Sequence, residues 1–377
     1  MFDVYINKIA KLLPNDPVSN DNMESVLGLI DNKPSKGRRL VLRNNGIVTR
    51  FYTIDSNGNV THNNAQLTKE AIDNLFDADF NENDIEVLSC GTSTPDQLLP
   101  SHAAMVHGLF SSKNVELNSS AGVCTSGMNA LKFGYLSVKS GNSNNAVCTG
   151  SERFSTWMKS EKFNNEVENL KALEDKPIIA FKKEFLRWML SDGAGAILIE
   201  NKPKGELSLK IDWMEAYSFA HEIETCMYAG GEKQPDGSIQ SWNDYHPNEW
   251  LAESVFSVKQ DIKILDKYIL EKGVESMKDA LSKNNIDSTT INYFLPHISS
   301  FYFKDKLNNL MKKGGINIPD SSWFLNLDKT GNVGAASIYL MLEELFHSKK
   351  LKKGDSIFLS VPESGRFSYA FAFLTVC

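Results

Sequence analysis

Residues 117–141, LNSSAGVCTSGMNALKFGYLSVKSG, and residues 325–350, LNLDKTGNVGAASIYLMLEELFHSKK, follow one plan in the two halves of the chain. Each opens on Leu-Asn, crosses a short loop of small residues and enters an apolar helical pattern. Cys124 and Asn332 stand at the same offset from their Leu-Asn pairs. Upstream, residues 83–94 (NDIEVLSCGTST) and 289–300 (TTINYFLPHISS) share a second plan, an apolar strand running into a small polar loop. A repeat this long predicts two similar α/β halves rather than a solenoid of short units. The strand-like GAGAILIE gives way to the polar NKPKGE near residue 200, which places the boundary between a first half, 1–203, carrying the cysteine, and a second, 204–377, carrying a histidine and the asparagine.

Around these anchors, residues 67–78 (LTKEAIDNLFDA) have helical spacing, IEVLSC begins a strand, SHAAMVHGLF reads as a second helix and NAVCTG as another strand. Residues 217–250 are aromatic, glycine-containing and irregular, as expected of an insertion beside a binding site.

The chain has 377 residues, 41% hydrophobic and 23% charged, with a formal net charge of -7. That balance suits a folded protein with a sizeable core and argues against a nucleic-acid binder, which needs a basic field. The basic cluster at Lys349, Lys350, Lys352 and Lys353 closes an apparent helix, where cations are favoured, and a dock for an acidic carrier domain is the rarer reading. Five scattered cysteines suggest neither a disulfide framework nor a metal site. No apolar run approaches the length of a membrane span, so a cytoplasmic protein with reduced thiols and no membrane association is expected.

Cys124 precedes a helix, where the dipole and free N–H groups favour thiolate, and Gly122 and Gly127 permit close approach of a ligand. Cys90 and Cys148, in apolar strand-like runs, read as small buried hydrophobes. His297 follows a strand and a proline, presenting a polar ring at a strand end, yet alone it reads more often as a structural histidine. Asn332 alone reads as a helix cap. The repeat changes these readings, because it turns all three toward one face, where ligands of α/β folds gather.

Segments GTSTPDQLLPSHAAMVHGLF, SSAGVCTSGMNALKFGYLSVKSG, RWMLSDGAGAILIE, FLPHISSFYF and KTGNVGAASIYLMLEEL resemble, in order and spacing, the ketoacyl-acyl-carrier-protein synthase III family. The resemblance implies the thiolase fold, five layers αβαβα from two duplicated halves, and a homodimer. It implies acyl-CoA or acyl-carrier-protein thioesters as substrates and no metal or redox cofactor. It maps a Cys-His-Asn triad onto Cys124, His297 and Asn332, with Cys124 as acyl-carrying nucleophile and the other two stabilising an enolate. The Cys124 N–H and a group near Gly365 would form an oxyanion hole, with Ser300 and Arg366 as further substrate-binding candidates.

The sequence departs from the family at two places. Ile298 to Tyr302 replace the usual Gln-Ala-Asn and carrier-docking arginine, and PESGRFSYAF replaces a glycine-rich loop, bringing the charged Glu363 and Arg366 near the expected oxyanion loop. These features look more like ketosynthases that make dialkylresorcinol or cyclohexanedione rings than like those that start fatty-acid synthesis. An acyltransferase making esters or amides from acyl-Cys124, and a non-catalytic partner subunit of the same fold, are the rival readings.

Overall fold

The computed structural model describes all residues except 36, 112 and 163–185. Its framework is nine strands: β1 (Tyr5–Leu12), β2 (Val87–Thr92), β3 (Glu116–Ala121), β4 (Asn145–Glu152), β5 (Gly193–Glu200), β6 (Leu209–Ser218), β7 (Tyr293–Pro296), β8 (Ser356–Glu363) and β9 (Ser368–Val376). Their order across the sheet is β7-β8-β9-β6-β1-β5-β4-β2-β3.

In the first half β2 runs parallel to β3 and β4, and β5 is antiparallel to both β4 and β1. The second half repeats that order: β7 is parallel to β8, and β9 is antiparallel to β8 and β6. The counterpart of edge strand β3 is reduced to one parallel bridge between Phe294 and Trp323. The halves join where β1 and β6 share two residue pairs, Tyr5 with Lys210 and Ile6 with Leu209.

Burial explains which strands the sequence reveals. Every position of β4 and β5 is buried, because helices cover both faces, and such strands read as continuous small or apolar runs. Strand β3 is largely exposed and carries no apolar pattern, so the sequence reading passes over it; pairing with β2 makes it a strand.

Helices complete the five layers. α1 (Asn64–Asp73) and α2 (His102–His107) pack on the outer face of the first half, and α4 (Ile262–Lys283) and α5 (Lys304–Lys313) on that of the second. Between the halves lie α3 (Ser126–Ser140) and α6 (Ser337–Phe346), whose apolar residues share one core with both. This is the thiolase fold, built from two duplicated halves. Helix α1 begins before the expected Leu67, because Asn63 and Gln66 form a capping box, and it ends at Asp73, where Leu75 and Phe76 enter turns.

A cradle of glycines lets the two central helices approach. A Cβ on Gly127 or Gly150 would lie 2.3 or 2.4 Å from the Ala335 carbonyl oxygen, and one on Gly195 2.4 Å from Tyr339 Cβ. Only glycine fits such contacts. Tyr339 Oη donates to the Gly127 carbonyl across 2.8 Å, tying the start of α6 to that of α3. The cradle brings the loops before these helices together.

The expected insertion carries short strand pairings. Gly231–Lys233 pairs with Ile239–Ser241, Met227–Tyr228 pairs with Lys259–Gln260, and Trp242, Trp250 and Phe256 form an aromatic cluster.

Candidate active site

Three loops meet between the halves, as the repeat requires. Cys124 lies two residues before α3, Asn332 two residues before the 3-10 turn Gly334–Ala336 that leads into α6, and His297 directly after β7. The His297 N–H donates to the Ser360 carbonyl on β8, 2.8 Å away, which fixes the end of its strand. Asn332 is pinned on both sides: its N–H donates to Met189 O at 3.0 Å, and its carbonyl accepts from Ser191 N–H at 2.9 Å. The segment leading into the Asp192–Ala196 turn therefore serves as the seat of Asn332.

The cap reading of Asn332 and its functional reading are compatible. Its Oδ1 accepts from Gly334 N–H at 3.0 Å, which orients the amide and leaves Nδ2 as a donor. Cys124, His297 and Asn332 all line one cavity. Much of its wall is apolar, with Phe154, Met189, Leu265, Ile269, Met277 and Leu307 among the lining residues. A convergent polar trio at one end of an apolar chamber suits a ligand with a reactive head and a hydrocarbon tail.

Electrostatics correct one expectation. The helix N-terminus was expected to favour thiolate at Cys124, but the thiol is pushed well above its ordinary pKa. Burial is the main cause, followed by the negative charges of Glu363 and Glu152. The resting sulfur is a neutral thiol. His297 is also neutral, because burial lowers its pKa to about 4. Cys90, Cys148 and Cys226 are buried; the first two have raised thiol pKa values, as expected of small hydrophobes, and Cys226 Sγ faces the Asp261 carbonyl.

Glu363, expected near the oxyanion loop, is fastened to the nucleophile turn. From the end of β8, its Oε2 accepts from Val123 N–H at 3.1 Å, Thr125 N–H at 3.3 Å and the Thr125 hydroxyl. The N–H between these two, that of Cys124, is not one of the donors that Glu363 holds. Glu363 thus holds the nucleophile turn while leaving that donor for a developing oxyanion. Arg366 does not pair with it; this exposed side chain turns to the Ile223 carbonyl at 3.3 Å.

Two buried carboxylates brace the site. Glu152, at the end of β4, accepts from Ala335 N–H and from Ser93 and Thr94, linking the Asn332 loop to the first half. Burial raises it to about 7. Asp192 accepts from the backbone N–H groups of Thr53 and Ser155, anchoring the turn beside Asn332.

The remaining sequence candidates divide. Gly365 packs against the nucleophile turn, where a Cβ would lie 3.0 Å from Val123, and its carbonyl accepts from Cys226 and Met227. Ser300 does not line the cavity: its hydroxyl accepts from Tyr302 N–H and faces the Asn44 carbonyl, because the chain turns into a 3-10 helix there. Its neighbour Ser299 lines the cavity instead. Arg366 also lies outside the lining.

Known proteins share the fold that carries this site. Residues 281–373 match the profile of the family described as 3-oxoacyl-[acyl-carrier-protein] synthase III, C terminal. The beta-ketoacyl-[acyl-carrier-protein] synthase III of Sulfurovum sp. (strain NBC37-1) is 23% identical over 93% of this chain and 89% of its own. That of Clostridium novyi (strain NT) is 22% identical over 95% of each chain. The chain is similar to the ketoacyl synthase III-like proteins over nearly its whole length. Among solved structures, a tetronic acid condensing enzyme superposes with a TM-score of 0.75 at 17% identity over 99% of each chain. OleA of Xanthomonas campestris superposes with a TM-score of 0.74 at 16% identity, covering 99% of this chain and 98% of its own. Both share the fold. Members of this family are condensing enzymes, and the cavity around Cys124 lies where the duplicated halves of such a fold meet.

Proposed function

We propose that the protein is a ketosynthase that forms a carbon-carbon bond between an acyl group held on Cys124 and the α-carbon of a second thioester. The observation that carries this reading is the convergence of Cys124, His297 and Asn332 on one largely apolar cavity. Residues 1–203 supply the nucleophile, and residues 204–377 supply the pair that handles the second substrate. Acyl-CoA and acyl-carrier-protein thioesters are the substrate class.

In the first half-reaction the Cys124 sulfur attacks the acyl carbon. The carbon-sulfur bond to the carrier breaks, the carrier thiol leaves with the proton, and the oxyanion meets the Cys124 N–H and the Gly365 region. In the second, the thioester carbonyl of the incoming unit accepts hydrogen bonds from neutral His297 and from Asn332 Nδ2. Loss of carbon dioxide from a malonyl unit leaves an enolate there, whose carbon attacks the acyl group and releases Cys124.

The lining favours the decarboxylative route over deprotonation of a ketoacyl unit. Among the described residues no Asp, Glu or Lys lines the cavity, and burial makes His297 a weak base. The dialkylresorcinol-type reading would need a base from elsewhere. The two routes separate in one experiment: incubation with an acyl thioester should add the acyl mass to Cys124, and malonyl thioester should then discharge it as a ketoacyl product. An adduct that persists in Cys124→Ala refutes the nucleophile, and discharge by ketoacyl but not malonyl thioester refutes the decarboxylative route.

A further inference from the structure

Gln260 lies in the apolar cavity wall and is 6% exposed. It ends the short strand Lys259–Gln260, paired with Met227–Tyr228. Its Nε2 is 3.1 Å from Ser364 Oγ and 3.9 Å from Met227 Sδ, and Ser364 Oγ faces that same sulfur at 3.4 Å. Its Oε1 is fully shielded and has no partner. Among the described residues lining the cavity, no other side chain holds a buried nitrogen or oxygen without a partner.

A shielded amide oxygen without a donor is costly, and a thioether is a weak acceptor for the nitrogen. Leucine or methionine would fill the same space without that cost. The neighbouring wall, with Leu265, Ile269, Leu270 and Met277, suits methylene groups. No Lys, Arg, Asp or Glu among the described residues lines the cavity, so the missing partner is a neutral polar group. A hydroxyl satisfies the amide in either orientation, donating to Oε1 or accepting from Nε2.

We propose that Gln260, with Ser364, is a specificity position for a hydroxyl carried on the acyl chain, making the first substrate a hydroxyacyl thioester. The assignment rests on the condensing reading above and names its substrate class. Ser364 adjoins Gly365, which packs against Val123 beside Cys124, a Cβ there lying 3.0 Å from the Val123 side chain. The hydroxyl therefore sits toward the thioester end of the chain rather than at its far tip.

The test is competition among acyl-CoA thioesters of one chain length, read as adduct masses on Cys124 of the full chain. The set comprises the unsubstituted chain, the hydroxyl on the third or the fifth carbon, and the ketone on the third. Wild type should take one hydroxylated chain about 10- to 100-fold faster than the unsubstituted one. Gln260→Leu should lose that preference and favour the unsubstituted chain, with a melting temperature equal to or above wild type. Equal use of all chains, preference for the ketone, or a hydroxyl preference that survives Gln260→Leu overturns the assignment. A Gln260→Leu protein that melts well below wild type shows a structural role and overturns it too. Cys124 left unmodified by every thioester refutes the condensing reading itself, a different outcome from acylation without discrimination.

Discussion

Replacing Glu363 by Gln removes a negative charge beside Cys124 while keeping an oxygen able to accept from Val123 and Thr125 N–H. A charge close to a titratable group moves its pKa by about one to three units. Glu363 ranks behind burial among the causes that raise the Cys124 thiol, so a fall of about one unit is expected. That corresponds to about 1.4 kcal/mol, or roughly tenfold more thiolate at any pH below the pKa. The sign follows from the neutral resting thiol: removing a like charge favours the anion. Iodoacetamide reacts with thiolate, so its rate at Cys124, followed by peptide mass from about pH 6.5 to pH 9, reads the change directly. Glu363→Gln should be alkylated about tenfold faster than wild type at neutral pH. An equal or slower rate would refute the idea that the carboxylate holds the sulfur neutral. Glu363→Ala separates charge from mechanical support, because it also strips the acceptor from three donors and should cost about 1 to 3 kcal/mol of stability in denaturant titration.

Three further outcomes follow from the geometry. Asn332→Ala should suppress discharge of the acyl-enzyme by at least about tenfold more than it suppresses acylation, since Nδ2 serves only the second substrate; equal loss in single-turnover assays of the two steps would reduce Asn332 to a cap. His297, lowered to about 4 by burial, stabilises the fold as a neutral ring above its ordinary pKa near 6.5, and this contribution is lost as pH falls through about 4. Discharge of pre-acylated enzyme should accordingly show no limb near pH 6.5 that disappears in His297→Asn. Gly150→Ala places a Cβ 2.4 Å from the Ala335 oxygen, so it should cost about 1 to 3 kcal/mol in equilibrium unfolding, and unchanged stability would contradict the cradle.

Much of the site was legible because its chemistry sits on local signals. Cys124, His297 and Asn332 each follow a strand or precede a helix, and the Leu-Asn repeat relates two of them before any contact is known. Strand β3 was illegible because its pattern is polar and its pairing supplies what propensity does not. Ser300 was misjudged against Ser299 because a one-residue change in chain direction decides which hydroxyl enters the cavity.

The sequence by itself determined the duplicated α/β plan and the identity of the convergent trio, since periodicity and small-residue loops are written along the chain. Only the tertiary structure decided the charge state of the nucleophile. The helix N-terminus that favours thiolate is local, whereas the burial and the carboxylates of Glu363 and Glu152 that oppose it arrive through space from β8 and β4. Desolvation and Coulomb repulsion depend on what surrounds the sulfur. No reading of the residues beside Cys124 contains that information.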